Sequence, residues 1–326
     1  MELDPQSQAV VDRLNASGVL PFRNHDPVAL RELSLKLRPP RPAEPTTPMA
    51  NVREETITTP DGAFQVRIYW PRQLAERETM GAVIYFHGGG FFIGGLDESD
   101  ESVRAIAAKA GVIAVSVDYH LSPEARFPVA VNDAYAALCW VARNAARLGV
   151  DPARIVLSGD SAGGNLTVVT ALMARDRGGP AIAFQAPIYP SLDMRPRPAY
   201  GSRQTWGAGG YILDNDDIAW MLGNYLTDPA EGDDWRASPI LAASYAALPP
   251  ALVITADHDP LCDEGKLYAD RLAADGVAAE YACFEATFHG FVGYAAFLEV
   301  GARAVDLLCD RIRRALAVPE AAIAVA

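Results

Sequence analysis

The stretch Ile155-Val156-Leu157-Ser158-Gly159-Asp160-Ser161-Ala162-Gly163-Gly164-Asn165-Leu166 runs from β-branched and apolar residues, through a Gly-Asp-Ser-Ala-Gly turn, into a helix-forming segment. This is the strand, sharp turn and helix that lift one side chain, Ser161, clear of the end of a sheet. Gly159 and Gly163 flank the serine because a chain folded back so tightly leaves no room for a Cβ on either side. By itself a G-x-S-x-G pattern also fits an ordinary strand-to-helix connection, so its meaning depends on the sequence around it.

Upstream, Ala82–Phe86 is a continuous apolar run, predicted as a buried strand that ends in His87-Gly88-Gly89-Gly90. Val52–Thr58 and Ala63–Trp70 alternate about Asp61-Gly62 and predict a hairpin. Further strands are expected over Val112–Asp118, Arg154–Ser158, Ala181–Tyr189, Ala251–Ala256 and Ala279–Phe284. Helices are expected over 98–110, Asn132–Leu148, Ala162–Arg175, Asp263–Asp275 and Ala295–Leu316. Apolar strands alternating with helices predict an α/β fold: about eight strands, mostly parallel, covered on both faces, with the hairpin as an antiparallel edge.

Two segments interrupt the alternation. Residues 1–48 carry two helix starts, Asp4-Pro5 and Asp26-Pro27, each a cap followed by proline at the first helical position. Val10, Val11 and Leu14 stripe the first helix, and Leu30, Leu33 and Leu37 the second; Pro39, Pro40, Pro42, Pro45 and Pro48 then form an extended linker. Residues 193–235 are rich in Gly, Pro and aromatic residues, with a short helix near Asp217–Tyr225. The expected organisation is a catalytic domain over 49–192 and 236–318, with 1–48 and 193–235 as cap segments over the carboxyl ends of the strands, where open α/β sheets bind ligands. The tail after Pro319 is expected to be loose.

Half of the 326 residues are hydrophobic and about one-fifth are charged, enough apolar material for a large core. The 41 Asp and Glu against 28 Lys and Arg give a formal charge of −13, which argues against nucleic acid or an anionic membrane as a partner. Cys139, Cys262, Cys283 and Cys309 are scattered without a C-x-x-C pair, so buried free thiols are expected and metal or redox use is not. No secretory signal is visible in residues 1–20, and no run approaches the roughly 18 apolar residues of a membrane span. A cytoplasmic monomer or homodimer is expected.

A serine hydroxyl needs a base within hydrogen-bonding reach, and the base needs a group to orient it. Of five histidines, His25 lies in the N-terminal segment, His87 opens the glycine run, and His120 and His258 follow strands. His289, in Thr287-Phe288-His289-Gly290-Phe291, stands just past the last strand. Every position just after a strand of such a sheet can face one crevice, which gives His289 and Asp259 the right address. Asp257, Asp263 and Glu264 are the rival acids; Asp257 is nearer the strand, and the other two open a helix as caps or dipole partners. Gly88-Gly89-Gly90 offers backbone N–H groups to an oxyanion, and Ala162, first in the helix after Ser161, offers another. A phosphate loop would end in Lys-Ser/Thr, but here Phe91-Phe92 follows.

Together these residues resemble the hormone-sensitive lipase family of α/β-hydrolases, in its bacterial esterase branch. The resemblance rests on His87-Gly88-Gly89-Gly90, Gly159-Asp160-Ser161-Ala162-Gly163-Gly164, Asp259-Pro260-Leu261-Cys262-Asp263-Glu264-Gly265 and His289-Gly290-Phe291. Tyr119-His120-Leu121-Ser122-Pro123-Glu124 is similar to a further family segment, with His120 where arginine is usual. The resemblance implies Ser161, Asp259 and His289 as a triad, Gly89, Gly90 and Ala162 as oxyanion donors, and no metal or cofactor. It also implies a serine carboxylesterase acting through an acyl-enzyme.

Phe91, Tyr189, Trp206, Tyr211 and Phe291 are candidates to line the substrate pocket, and Asp160 either supports the turn or faces the substrate. The charges of 193–235 suit short or medium acyl chains better than an interfacial lid. An amidase or deacetylase on the same triad is the alternative. A non-catalytic receptor on the same fold would be expected to lack the histidine.

Overall fold

A computed structural model describes residues 2–37, 45–196 and 198–317. Pro39, Pro40, Pro42, Arg197 and the tail after Pro319 lie outside the described residues. The strands are β1 (Asn51–Thr59), β2 (Gly62–Trp70), β3 (Met80–Phe86), β4 (Ile113–Asp118), β5 (Val150–Asp160), β6 (Phe184–Ile188), β7 (Ala251–His258) and β8 (Ala279–Phe288). They form one eight-stranded sheet in the order β1-β2-β4-β3-β5-β6-β7-β8. β2 pairs antiparallel with β1 and β4, and the other neighbours pair parallel. The α/β expectation and its antiparallel edge are borne out.

The helices are α1 (Pro5–Ala16), α2 (Pro27–Leu37), α3 (Leu96–Ala110), α4 (Val129–Arg143), α5 (Ala145–Leu148), α6 (Ala162–Asp176), α7 (Gly201–Trp206), α8 (Asn215–Tyr225), α9 (Cys262–Ala274) and α10 (Glu299–Leu316). The two-residue period of β3 sends Ala82, Ile84 and Phe86 to one face, into the core beneath α4 and α6. Val83 and Tyr85 turn to the other face, onto α3 and α10. Every residue of β3 is therefore buried, which explains its unbroken apolar run.

After β4 the chain crosses behind β3 and returns as β5 on its far side, so the winding direction reverses between β3 and β5. That reversal opens a crevice beyond the carboxyl ends of these two strands. His87-Gly88-Gly89-Gly90 leaves one of them and Ser161 the other.

Several boundaries differ from the sequence expectation for local reasons. The single helix expected to Leu148 is broken at Asn144, whose side-chain Nδ2 donates to the Trp140 carbonyl at 2.9 Å, a local bond that competes with helix continuation. The last helix begins at Glu299 rather than Ala295, because Gly290 has a φ of +90° and Phe291–Tyr294 coil into a 3₁₀ turn. α7 has no amphipathic period. It is held instead by Asp263, which accepts from the Ser202 N–H at 2.9 Å, and by the Arg203–Glu264 ion pair at 2.6 Å.

Asp263 and Glu264 thus do more than cap a helix. Glu264 also accepts from the N–H groups of Leu192 and Asp193 at 2.7 and 3.0 Å. All four cysteines are free thiols, but only Cys309 is buried: Cys139 and Cys262 are half-buried, and Cys283 is exposed on the edge strand β8 with its Sγ 3.9 Å from that of Cys262.

The two interrupting segments meet each other. Arg23 pairs with Asp214 and Asp217 at 2.8 and 2.9 Å, and Asp217 accepts from the N–H groups of Phe22 and Arg23. Two of the acids in 193–235, Asp214 and Asp217, therefore join the segments. α1 docks on the far end of β8 through Asp4 N–H to the Ala286 carbonyl at 2.9 Å and Ser7 Oγ to Thr287 Oγ1 at 3.1 Å. Among the described residues no helix is long and apolar enough to cross a membrane.

Candidate active site

β5 is central, between β3 and β6, and the chain leaves it through Ser161 at φ 56° and ψ −114°, strained for a residue with a Cβ. The strain persists because the turn is held on both sides. Ser161 N–H donates to the Ile188 carbonyl at 2.9 Å, and the Ser161 carbonyl accepts from Asn165 N–H at 3.1 Å, the first turn of α6. Neither glycine has room for a Cβ. A Cβ on Gly159 would meet the Phe86 carbonyl oxygen at 2.5 Å, and one on Gly163 would meet that of His87 at 2.7 Å. Backbone carbonyls cannot step aside, so Gly163→Ala should destabilise the fold by about 3 kcal/mol, the top of the overpacking range. Thermal or urea unfolding measures it, and a shift within error of wild type would refute it.

Ser161 Oγ lies 2.9 Å from His289 Nε2, and His289 Nδ1 lies 2.7 Å from Asp259 Oδ2. A carboxylate only accepts, so Nδ1 carries the proton, and Nε2 of the neutral ring is left to accept from the serine. Asp259 is fully buried, and its other oxygen accepts from Leu261 N–H at 2.8 Å, which fixes the carboxylate's orientation. The rival Asp257 faces elsewhere: it takes His258 Nδ1 at 2.7 Å and Thr287 N–H at 3.2 Å.

The other histidines have their own partners. His25 Nε2 sits 3.1 Å from the Gly18 carbonyl, and His87 stacks on Tyr119 at 4.3 Å. His120 bonds Asp133 on α4 through Nδ1 at 2.7 Å and its own N–H at 3.0 Å. Burial pushes the Asp133 carboxyl up, and the bonds from His120 oppose that rise.

Asp160 serves the glycine run. Its Oδ1 accepts from Gly88 N–H and from the Tyr85 hydroxyl, both at 2.8 Å. Burial pushes its carboxyl above the usual carboxylate range, with Tyr85 and Gly88 pulling it back. Tyr119 adds a second anchor, its hydroxyl donating to the His87 carbonyl at 2.8 Å. Gly89 and Gly90 then turn with φ of +120° and +62°, and both line the cavity beside Ser161 and Ala162. Ala162 is the first residue of α6, where an N–H has no partner within the helix.

The cavity measures about 190 Å³. Phe91, Asp160 and Tyr189 line it as expected, and the Tyr189 ring sits 4.8 Å from the His289 imidazole. Trp206, Tyr211 and Phe291 do not line it. Trp206 and Tyr211 pack on His258, at 4.1 and 5.4 Å between ring centroids, and Phe291 is fully buried beneath Tyr189. The apolar wall comes instead from Ile218, Met221 and Leu222 of α8, with Phe22 from the N-terminal segment. The spacing of the three α8 residues is a readable helical stripe; Phe22, on a three-residue 3₁₀ turn, carries no periodic signal. Among the described residues no cluster of His, Cys, Asp and Glu could hold a metal ion.

A family model described as alpha/beta hydrolase fold matches residues 83–293. Carboxylesterase NlhH of Mycobacterium tuberculosis is 41% identical over 276 residues, spanning 82% of this chain and 84% of that protein. Ethyl acetate hydrolase of Pseudomonas putida is 34% identical over 267 residues, spanning 81% and 83%. Among solved structures, a hyperthermophilic esterase from the archaeon Pyrobaculum calidifontis superposes with a TM-score of 0.91 at 40% identity, covering 97% of this chain and all of that one.

Proposed function

Because the chain belongs to the α/β-hydrolase family, in its hormone-sensitive-lipase-type branch, and is a carboxylic ester hydrolase, we propose that Ser161, His289 and Asp259 are its catalytic triad and that it cleaves short- to medium-chain acyl esters. The observation that carries this reading is the unbroken chain from Asp259 through His289 to Ser161, at 2.7 and 2.9 Å, ending at an apolar cavity.

In this mechanism Ser161 Oγ attacks the ester carbonyl while His289 Nε2 takes its proton. Asp259 keeps the imidazole turned to the serine and stabilises the imidazolium. The carbonyl oxygen, now an oxyanion, is held by the N–H groups of Gly89, Gly90 and Ala162, with the positive end of α6 behind it. His289 then protonates the departing alcohol oxygen. Water enters, gives its proton to His289 and attacks the acyl-enzyme; as that second oxyanion collapses, the acyl–Oγ bond breaks, His289 returns the proton to Ser161 Oγ, and the acid is released.

Residues 1–48 and 193–235 act as the cap over the domain formed by 49–192 and 236–318. Phe22, Met221 and their neighbours support this, since each segment supplies part of the cavity wall. A cavity of about 190 Å³ is smaller than the roughly 300–1,000 Å³ typical of drug-sized ligands, which favours short acyl chains. The acids Asp214 and Asp217 are bound to Arg23 across the cap, an arrangement that stiffens it rather than offering an apolar lid to a lipid surface.

A series of p-nitrophenyl esters with saturated acyl chains of increasing length tests the reading. The ratio kcat/KM should peak at short to medium chains and fall at long ones, and p-nitroanilides of the same acids should be cleaved far more slowly. A maximum at the longest chains would overturn the size assignment, and anilides cleaved as fast as esters would point to an amidase.

A further inference from the structure

Gly89, Gly90 and Phe91 are three successive residues with positive φ, at +120°, +62° and +68°. For Phe91 that region is sterically disfavoured, and a side chain stays there only where its surroundings over-determine it. Bonds within the turn are few: Phe92 and Ile93 donate their N–H groups to the Gly89 carbonyl at 3.1 and 3.0 Å. The rest come from outside. Ser122 grips the Phe91 carbonyl with its N–H at 2.8 Å and its hydroxyl at 3.1 Å. Arg31, on α2, donates Nε to the Phe92 carbonyl and Nη2 to the Ser122 carbonyl, both at 2.7 Å.

We infer that Arg31 is a positioning residue for the reaction, tying the Gly89–Phe91 turn to Ser122 so that the backbone donors of that turn keep their aim. The inference rests on the reading of Gly89 and Gly90 as oxyanion donors. One planar guanidinium meets both sides of the clamp, the Phe92 carbonyl directly after the turn and the carbonyl of Ser122, which holds the turn. Glu124 orients the guanidinium, with its oxygens 2.8 and 2.7 Å from Nη1 and Nη2, and Arg31 in turn holds the Glu124 carboxyl below its usual range. The pair is partly exposed, with Glu124 54% accessible. Its role is therefore to aim the Arg31 fork rather than to stabilise the fold. Leu30, the preceding residue, is fully buried against Phe92, so α2 holds the same residue by packing and by hydrogen bonding. A lysine could not replace Arg31, because one ammonium cannot reproduce the fork that spans two carbonyls and a carboxylate.

An oxyanion exists only after attack, so a misaimed donor slows the chemical step and leaves ester binding nearly unchanged. Displacing a reacting group by about 1 Å costs up to about 10²-fold. Arg31→Ala should therefore lower kcat about 10- to 100-fold with KM within about twofold. The measurement uses p-nitrophenyl butyrate, with active sites counted by stoichiometric phosphorylation with diethyl p-nitrophenyl phosphate, so that kcat refers to folded enzyme only. The inhibition constant of a trifluoromethyl ketone, which presents an oxyanion when bound, should rise in step with the loss in kcat/KM.

Arg31→Lys should fall between Ala and wild type. If Arg31→Ala does not fold, Arg31→Lys and Ser122→Ala carry the test, each expected to lower kcat per titrated site without raising KM. Wild-type kcat per titrated site in the folded variants, or a loss confined to KM, would overturn the inference. Ser161→Ala run alongside separates the two readings. An inactive Ser161→Ala with unimpaired Arg31 variants sinks only the positioning role, whereas an active Ser161→Ala sinks the nucleophile assignment itself.

Discussion

Ser161→Ala should lower kcat by about 10⁶, the loss that follows removal of the serine from a Ser–His–Asp hydrolase. The size of the effect comes from the change of mechanism. Without Oγ no acyl-enzyme forms, and His289 and the oxyanion donors are left to promote direct attack by water at a site shaped for an enzyme-bound nucleophile. The residue that remains is a small, apolar alanine at the apex of a turn whose φ of 56° is already imposed by its neighbours. The fold should therefore survive, and the unfolding temperature should stay near that of wild type. Substrate binding should also persist, because the cavity wall is built by other residues. The check is single-turnover and steady-state hydrolysis of a short p-nitrophenyl ester, with an active-site count to exclude contamination. Retention of wild-type activity would remove Ser161 from the mechanism.

Asp259→Asn should lower kcat by about 10⁴, as the same exchange does in other triads. An asparagine side chain can turn its NH₂ toward His289 Nδ1. The ring then places its proton on Nε2, facing Ser161, where the base must be free to accept. The neighbouring Asp257→Asn is the decisive control. Asp257 lies two residues away and also bonds a histidine, His258, but its partners are His258 Nδ1 and the Thr287 N–H rather than the site. Its loss should change rate by less than about tenfold, within what a small shift in geometry produces. Measuring both variants across a pH series, with the unfolding temperature of each, tells orientation apart from destabilisation. Equal losses in the two would leave Asp259 without its assigned role.

Much of this architecture is legible in the chain because its signals are local. Ala82–Phe86 reads as a buried strand since every residue in it is apolar, and the structure buries all of them. The Asp61-Gly62 hairpin, the Asp4-Pro5 helix start and the Gly-Asp-Ser-Ala-Gly turn depend on residues a few positions apart. The aromatic residues were less readable. Phe91, Tyr189, Trp206, Tyr211 and Phe291 are alike in composition and in their nearness to loops. Yet Phe91 and Tyr189 face the cavity, while Trp206 and Tyr211 lie on His258 and Phe291 lies in the core. Which way an aromatic ring faces depends on what packs behind it, and nothing adjacent in sequence records that.

Asp259 and Asp257 show the same boundary at closer range. Both stand where β7 meets the crevice, and local chemistry makes both plausible partners for a histidine. Only the course of β8 and the bend at Gly290 bring His289 to one and leave Thr287 against the other. By itself, the sequence determined the alternation of strands and helices, and the glycines that let the backbone pass closely at Ser161 and turn at Gly89, because steric and hydrophobic rules act over a few residues. The family motif pointed to Asp259, but tertiary structure alone decided how β8 carries His289 to it, that α8 and Phe22 supply the cavity wall, and that Arg31 reaches Phe92 from 61 residues away. Those contacts join segments remote in sequence, and their geometry is set by how the layers pack around the sheet.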